Sequence, residues 1–333
     1  MIKINKSKAQ SFLLYLVLMI PTIIAYLFIF IASMNYSKDR HNYLRMMDVN
    51  DFQRVEPLIL FIARFLNFFI EGNYVCKLII TQLFFFLVFL TALYKYFNPD
   101  NLDRLTKCLL ALMLLLLVNA VVFGVQLRMG YATFIFIYLI VSLKRFDIKY
   151  LILFILPVLM HFGTLLPILM YFYIYIFNIN NRKKFIKHTL ILFTPFTIVI
   201  LNIDQIFNLL GVSSYYYVYI NGEALEQRAL PYTVLFYILN ACYLIAFHRH
   251  MPKDKYYWLS LSGLWLVYIG LALKFILAFK MLIPITMISV MYTAKHLPSQ
   301  KTNAIIYLIF AYIFSLIGFS YLAFTTNLKY QFF

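Results

Sequence analysis

Charged residues are scarce in this chain of 333 residues, and acidic residues are the scarcest. Asp and Glu together number 12, and charged residues of both signs make up 12% of the chain, whereas hydrophobic residues make up 64%. A soluble domain typically carries about 25% charged residues, so this chain has about half the charge that a folded surface in water needs. The composition therefore excludes a soluble globular protein and indicates an integral membrane protein.

The chain also has few cysteines and lacks several catalytic motifs. The three cysteines, Cys76, Cys108 and Cys242, lie beside or inside apolar segments. They form neither a disulfide framework nor a metal-binding spacing, so we interpret them as packing residues. The chain lacks a phosphate-cradling glycine-rich loop, a serine nucleophile elbow and a His/Cys/Asp cluster with metal-ligand spacing. We therefore expect no nucleotide hydrolysis, no bound metal and no cofactor.

Long apolar runs fill most of the chain. Since a spanning helix needs roughly 20 apolar residues, these runs predict an all-α polytopic integral membrane protein with about eleven transmembrane segments. We place the segments at 12–34, 78–96, 106–123, 130–143, 150–160, 163–177, 189–202, 230–247, 256–273, 281–294 and 303–324. The shorter run 57–70 is predicted to be a re-entrant or surface helix. We expect one polytopic membrane domain over 1–333, with outer loops at 35–56 and 203–228.

Basic residues set the predicted orientation. The net charge of +17 is concentrated in short Lys and Arg clusters between apolar runs. This is the pattern of cytoplasmic loops beside an anionic leaflet, and it argues against a nucleic-acid partner. When the N-terminus is placed in the cytoplasm and 57–70 is treated as a re-entrant or surface helix, 18 of the 29 basic residues fall in cytoplasmic loops. The sequence therefore predicts a multi-pass protein with a cytoplasmic N-terminus.

Arg128 and His161 are the strongest candidates for chemistry. Arg128 lies in the turn before an apolar segment, and an arginine at membrane depth costs about 2.5–3.5 kcal/mol on insertion scales. It is either an interfacial anchor or ion-pair partner, or an anion clamp facing a cavity, and we favour the clamp. His161 lies where Pro157 and Gly163 break the run 150–177 into two pieces. It is either a hydrogen-bonded core residue or a proton acceptor near neutral pH.

Further candidates lie on the predicted outer side. The first outer loop carries carboxylates that include Asp39 and Glu56 among arginines that include Arg40. The carboxylates lack tight spacing and are surrounded by cations, so we favour a loop of ion pairs over a divalent metal site. Lys274 and Lys280 bracket a predicted cavity rim, although residues six positions apart do not share a helix face.

Several landmarks occur in a fixed order along the chain. They are Asp39 and Tyr43 after the first span, Glu56-Pro57, Gln126-Leu-Arg128, His161-Phe-Gly-Thr164 and Lys280-Met-Leu-Ile-Pro284. This order resembles the EpsG-like group of Wzy-type polymerases, which join lipid-linked repeat units of bacterial O-antigen, capsule or exopolysaccharide. The resemblance extends from about residue 12 to residue 324. The late basic position is often arginine in that group and is Lys280 here, and lysine does not grip phosphate as arginine does.

The resemblance implies a metal-independent membrane glycosyltransferase at the outer face of the bacterial inner membrane. Its substrates would be two undecaprenyl-diphosphate-linked oligosaccharides, and its other partners membrane lipid and a chain-length regulator protein. Arg128, helped by Arg40 or Arg64, would stabilise the departing diphosphate, and His161 would take the proton of the attacking hydroxyl. The remaining substrate-binding residues would be Asp39, Tyr43, Glu56, Lys274 and Lys280.

Two other functions share several of these features. A transporter or flippase of lipid-linked glycans would also need a basic cavity in the membrane, but it must gate through both leaflets. The basic candidates of this chain lie on the predicted outer side only. A membrane O-acyltransferase also uses a membrane His and Arg, typically near the cytoplasmic entry of its donor. We therefore favour the polymerase.

Overall fold

A computed structural model describes most of the central part of the chain. The described residues are 57–118, 126–143, 148–202, 232–247, 251–272 and 276–297, with single positions at Leu44, Met46, Met47, Gln205, Arg249 and Ile313. All regular structure in these residues is helical, and they contain no strand. The predicted all-α class is confirmed for this part of the chain. Apart from the single positions, the predicted segments 12–34 and 303–324 and both predicted outer loops lie outside the described residues.

Eleven α-helices lie within the described ranges. They are α1 (Pro57–Asn67), α2 (Tyr74–Phe97), α3 (Leu102–Val118), α4 (Leu127–Ser142), α5 (Ile148–Leu151), α6 (Ile155–Met160), α7 (Leu165–Ile176), α8 (Arg182–Leu201), α9 (Tyr232–Ala246), α10 (Lys255–Ala272) and α11 (Ile276–Lys295). Of these, α2 alone is long and apolar enough to cross a membrane by itself. The count of about eleven spans therefore stays a prediction.

The chain divides into two compact units. One contains residues 1–165 and 308–333, and the other contains residues 166–307. The described helices of the first unit are α1–α6, and those of the second are α7–α11, with the boundary at the first residue of α7. The arrangement of the whole chain as one membrane domain stays a prediction.

The contact between α2 and α4 forms the core of the first unit. Phe85 of α2 stacks on Tyr131 of α4 with ring centroids 4.6 Å apart, and both rings are buried. Ten residues further along α2, Lys95 Nζ donates to Ser142 Oγ of α4 at 3.1 Å. Residue numbers rise together along the two helices, so α2 and α4 run parallel. This relative direction agrees with the predicted topology, in which both segments run from the outer to the inner face.

The short helix expected over 57–70 is present as α1. Its 11 residues rise about 16 Å, roughly half of the ~30 Å hydrocarbon core of a bilayer. It packs on α2 and α6, with Ile59 and Ala63 buried and Phe61 and Phe65 exposed. A short helix is therefore confirmed here, and its re-entrant or surface placement stays a prediction.

The predicted break in the run 150–177 is confirmed. Helix α6 ends at Met160, and α7 begins at Leu165. Between them His161 is extended, with φ −162° and ψ 119°, and a 3-10 turn covers Phe162–Thr164. The His161 N–H still donates to the Pro157 carbonyl at 2.9 Å, so the last turn of α6 is closed before the chain changes direction.

Small and polar residues hold the helices of the second unit together. Helices α10 and α11 pack closely at Gly270, where an added Cβ would lie 2.3 Å from Cε1 of Phe279. Only glycine fits there, as is common where membrane helices approach each other. Helix α9 is joined to α11 by the buried Asn240, whose Nδ2 donates to Ser289 Oγ at 2.6 Å.

We predict that the turn between α7 and α8 is cytoplasmic. Asn180 is exposed in this turn, beside the basic cluster 182–187. In a variant whose native cysteines are replaced by serine, Asn180→Cys should react with an impermeant maleimide only after the membrane of spheroplasts is opened. The matched substitutions Ser37→Cys and Ser213→Cys should react in intact spheroplasts. Labelling of Asn180→Cys in intact spheroplasts would contradict the predicted topology.

Candidate functional site

Helix α4 begins with a concentration of positive charge. Arg128, its second residue, is half-buried between the buried Leu127 and Met129, and the first turn contains no acidic residue. The N–H groups of a first helical turn carry partial positive charge, which disfavours a cation and attracts an anion. A guanidinium and helical N–H groups both bind phosphate oxygens well. The start of α4 is therefore suited to an anionic ligand.

The side chain of His161 is held by its own turn. Its Nδ1 accepts the backbone N–H of Gly163 at 3.0 Å, and its backbone carbonyl accepts the Thr164 hydroxyl at 2.9 Å. A backbone N–H can only donate, so Nδ1 is the unprotonated nitrogen in this geometry. In the neutral imidazole the proton therefore lies on Nε2.

Gly163 lies between the imidazole and the first turn of α4. A Cβ at Gly163 would lie 2.9 Å from His161 Nδ1 and 3.5 Å from Met129 Sδ. Both α6 and the 3-10 turn pack on α4, and Met129 follows Arg128 directly in sequence. The structure thus brings the turn that holds His161 and the turn that holds Arg128 to the same end of α4.

The other predicted site residues are distributed more widely. Arg64 is exposed on α1, and α1 packs on α6, the helix that ends just before His161. Lys280 is half-buried on α11 in the second unit. The remaining predicted residues, which lie outside the described part of the chain, are Asp39, Arg40, Tyr43, Glu56 and Lys274.

Two buried polar residues on α2 were missed by the sequence reasoning. Lys77 is 0% exposed and Gln82 is 1% exposed. Phe85 of α2 stacks on Tyr131 of α4. Gln82 lies three residues before Phe85, and Arg128 lies three residues before Tyr131. Because the two helices run parallel, Gln82 is therefore level with Arg128. Lys77 and Gln82 both interrupt an otherwise apolar run, and that interruption is the sequence signal that points to them.

The second unit contains a half-buried lysine, Lys255, that contacts three tyrosines. Lys255 Nζ donates to the Tyr171 hydroxyl at 2.9 Å and lies 5.2, 5.4 and 5.1 Å from the ring centroids of Tyr171, Tyr175 and Tyr256. The preceding Asp254 accepts the backbone N–H of Tyr256 at 2.9 Å, and burial raises the pKa of its carboxyl above the ordinary value. Lys255 thus ties α7 to α10.

A pocket in the second unit does not suit an anionic ligand. Its lining residues, among them Tyr173, Thr189 and Ser262, carry no charge. In the described residues, no group of three His, Cys, Asp or Glu side chains is placed to hold a metal ion. The Arg128–His161 end of α4 is therefore the best candidate site in the described residues.

The described residues form an α-helical fold in which one helix is long and apolar enough to cross a membrane, and Arg128 lies at the start of α4. The model of the EpsG family matches residues 17–332. The chain therefore belongs to the EpsG family, a family of Wzy-like polymerases and of membrane proteins. This confirms the resemblance drawn from the sequence landmarks. The chain matches no curated protein and no solved structure.

Proposed function

We propose that this chain polymerises undecaprenyl-diphosphate-linked oligosaccharide repeat units at the outer face of the bacterial inner membrane. A sugar hydroxyl of the incoming unit attacks the anomeric carbon of the growing glycan. The bond from that carbon to the diphosphate breaks, a glycosidic bond forms, and the hydroxyl proton is released. The observation that carries the proposal is the placement of the His161 turn against the first turn of α4, which carries Arg128. Membership of the EpsG family supports the same class of reaction.

Arg128 stabilises the leaving group in this proposal. Cleavage of the anomeric C–O bond adds negative charge to the lipid diphosphate, and fixed cations that face this charge lower the barrier. A guanidinium donates two parallel hydrogen bonds to phosphate oxygens. The linkage to diphosphate already activates the sugar, so neither a nucleotide nor a metal ion is required. Direct displacement would invert the configuration at the anomeric carbon.

The hydrogen bond at Nδ1 favours a donor role for His161. A general base needs an unprotonated nitrogen that faces the hydroxyl it activates. Here Nδ1 is engaged by the Gly163 N–H at 3.0 Å, so Nε2 carries the proton. Acting as a base at Nδ1 would require that bond to break, whereas Nε2–H has the proton that a bond to a diphosphate oxygen needs. We therefore assign His161 to the diphosphate, and the hydroxyl proton to an outer-loop carboxylate, Asp39 or Glu56.

Analysis of lipid-linked glycans from a deletion strain tests the proposal. A polymerase mutant should accumulate single repeat units on lipid at the outer face and should lack the ladder of longer chains on electrophoresis. A strain with no repeat units outside would instead indicate a flippase. Full-length chains that lack acyl groups would indicate an O-acyltransferase. Either of the last two results would overturn the proposed function.

A further inference from the structure

Lys77 is a fully buried cation in the first turn of α2. Its side chain is 0% exposed, and its Nζ donates to Asn67 Oδ1 at 2.6 Å. The same Nζ lies 5.2 Å from the ring centroid of Tyr74. In the part of the chain that the structure describes, the two ion pairs lie at the start of α3, so Lys77 has no described carboxylate partner. Its described partners are therefore neutral.

Lys95, at the other end of the same helix, shows how a lysine is usually accommodated. Its Nζ also has neutral partners, the hydroxyls of Tyr138 at 3.2 Å and Ser142 at 3.1 Å. Lys95 is exposed, however, and lies in the last turn of α2, where the helix dipole favours a cation. Lys77 is buried and lies at the end of the helix where the dipole disfavours a cation. Because buried charges are normally paired with opposite charge, the surroundings of Lys77 suit an anion.

We propose that Lys77 binds a phosphate group of a membrane lipid at the corner between α1 and α2. This corner site consists of Asn67, Tyr74 and Lys77. The side-chain oxygen Oδ1 of Asn67 lies 2.6 Å from Nζ, at a position that a phosphate oxygen can take. The ammonium of Lys77 has three N–H donors, so it can bind more than one oxygen. Asn67 is half-buried and Tyr74 is 36% exposed. Rotation of the Asn67 side chain is the movement that the proposal requires to bring a phosphate to the ammonium.

The backbone fixes the corner site in place. Gly72 has a positive φ of 73°, which glycine adopts without steric cost, so the chain can reverse between α1 and α2. Asn73 then caps α2, since its Oδ1 accepts the Cys76 N–H at 3.0 Å. This cap sets the first turn of α2 and with it the backbone of Lys77, beside the last residue of α1.

The surface beside the corner site favours a lipid over a soluble anion. Phe68 is 89% exposed and Phe69 is 72% exposed in the turn directly after α1. An apolar surface next to a buried cation matches the two parts of a prenyl diphosphate, which joins a phosphate headgroup to a hydrocarbon chain. Inorganic phosphate would use the cation but leave the phenylalanines uncovered.

The corner site is distinct from the site at Arg128. By the register of α2 and α4, Arg128 is level with Gln82, and Lys77 lies five residues before Gln82, about 7.5 Å along the helix axis. Both cations lie at the same end of the α2–α4 pair. This assignment rests on the proposed function in one respect, because polymerisation requires two lipid diphosphates to be held at once. The corner site would hold the second.

Native mass spectrometry of the purified full-length chain in detergent, with undecaprenyl diphosphate as the probe, tests the corner site. Lys77→Met should weaken binding at least tenfold at the second of two bound lipids, while the matched control Lys95→Met should bind like the wild type. Undecaprenol, which has no phosphate, should bind both lysine variants equally. Wild-type binding by Lys77→Met would overturn the corner site.

Asn67→Asp keeps the test decisive if Lys77→Met folds poorly. A carboxylate 2.6 Å from the ammonium would pair with it internally and should compete with the lipid phosphate. We expect Asn67→Asp to raise the Tm of the chain and to weaken undecaprenyl diphosphate binding at least tenfold. A raised Tm with unchanged binding would show that Lys77 is only structural.

Competition experiments show which phosphate compound the corner site prefers. Phosphatidylglycerol and inorganic phosphate should each displace undecaprenyl diphosphate from the corner site only at much higher concentration. Equal displacement by phosphatidylglycerol would assign the site to bulk lipid and overturn its role as a substrate site. If the chain bound undecaprenyl diphosphate through Lys77 but made no polymer, the proposed function would fail while the lipid site remained.

Discussion

Replacing Arg128 with lysine is expected to lower the rate of polymer formation nearly as much as replacing it with alanine, by about two orders of magnitude or more. A planar guanidinium grips two phosphate oxygens at once, whereas an ammonium is a compact point charge on a flexible stem. Arg128 is half-buried in the first turn of α4, so a lysine there has little freedom to find an equivalent geometry. The measurement is the initial rate of ladder formation in membranes that contain equal amounts of each variant.

The matched control for this prediction is Arg104. It is exposed and forms an ion pair with Asp100 at 2.9 Å, and exposed pairs of this kind contribute little to stability. Both Arg104→Lys and Arg104→Ala should therefore leave polymer formation unchanged. Full polymer from Arg128→Lys at an equal protein level would reduce Arg128 to an interfacial anchor.

Two substitutions of His161 are expected to separate its two hydrogen-bonding roles. His161→Asn keeps an acceptor near the position of Nδ1, so the bond from the Gly163 N–H should survive and protein abundance should be normal. It removes Nε2–H, and the rate of polymer formation should fall by about 10²-fold or more if that group contacts the diphosphate. His161→Gln places an amide N–H near the position of Nε2, so a donor role predicts that this variant retains more activity than His161→Asn.

The outcomes distinguish the possible roles of the imidazole. If His161 is instead the general base, glutamine cannot take the proton, and both variants should be equally inactive. If His161 is only structural, His161→Asn should produce a normal ladder. The comparison is made on initial rates with lipid-linked substrate at saturating concentration, with abundance measured in the same membranes.

The break at His161 and the short helix α1 were predictable because local chain breakers and segment length determine them. Pro157 and Gly163 interrupt a helical pattern wherever it packs, and the run 57–70 is a short apolar stretch that carries Arg64. Helix ends were less predictable. The run 189–202 marks only the apolar part of α8, which begins at Arg182, where Asn181 Oδ1 caps the Lys184 N–H at 2.9 Å.

The pairing of helices and the state of the site residues lay beyond the sequence. A helix that is apolar on all sides has no single polar face, so periodicity does not reveal that Phe85 packs on Tyr131. Which imidazole nitrogen of His161 carries the proton depends on the backbone N–H of Gly163. No pattern of residue types in the sequence predicts that hydrogen bond. The burial of Lys77 depends on how α1 packs beside α2, which places Asn67 against the ammonium.

Reconstituted polymerisation tests whether the chain itself joins lipid-linked repeat units. The purified full-length chain would be placed in liposomes with lipid-linked repeat units extracted from the deletion strain, with EDTA present and no nucleotide sugar added. The wild-type chain should produce a ladder of glycans and release one undecaprenyl diphosphate for each new glycosidic bond, and Arg128→Ala should produce no ladder. Repeat units that stay single, or that cross the bilayer without being joined, would contradict the proposed function.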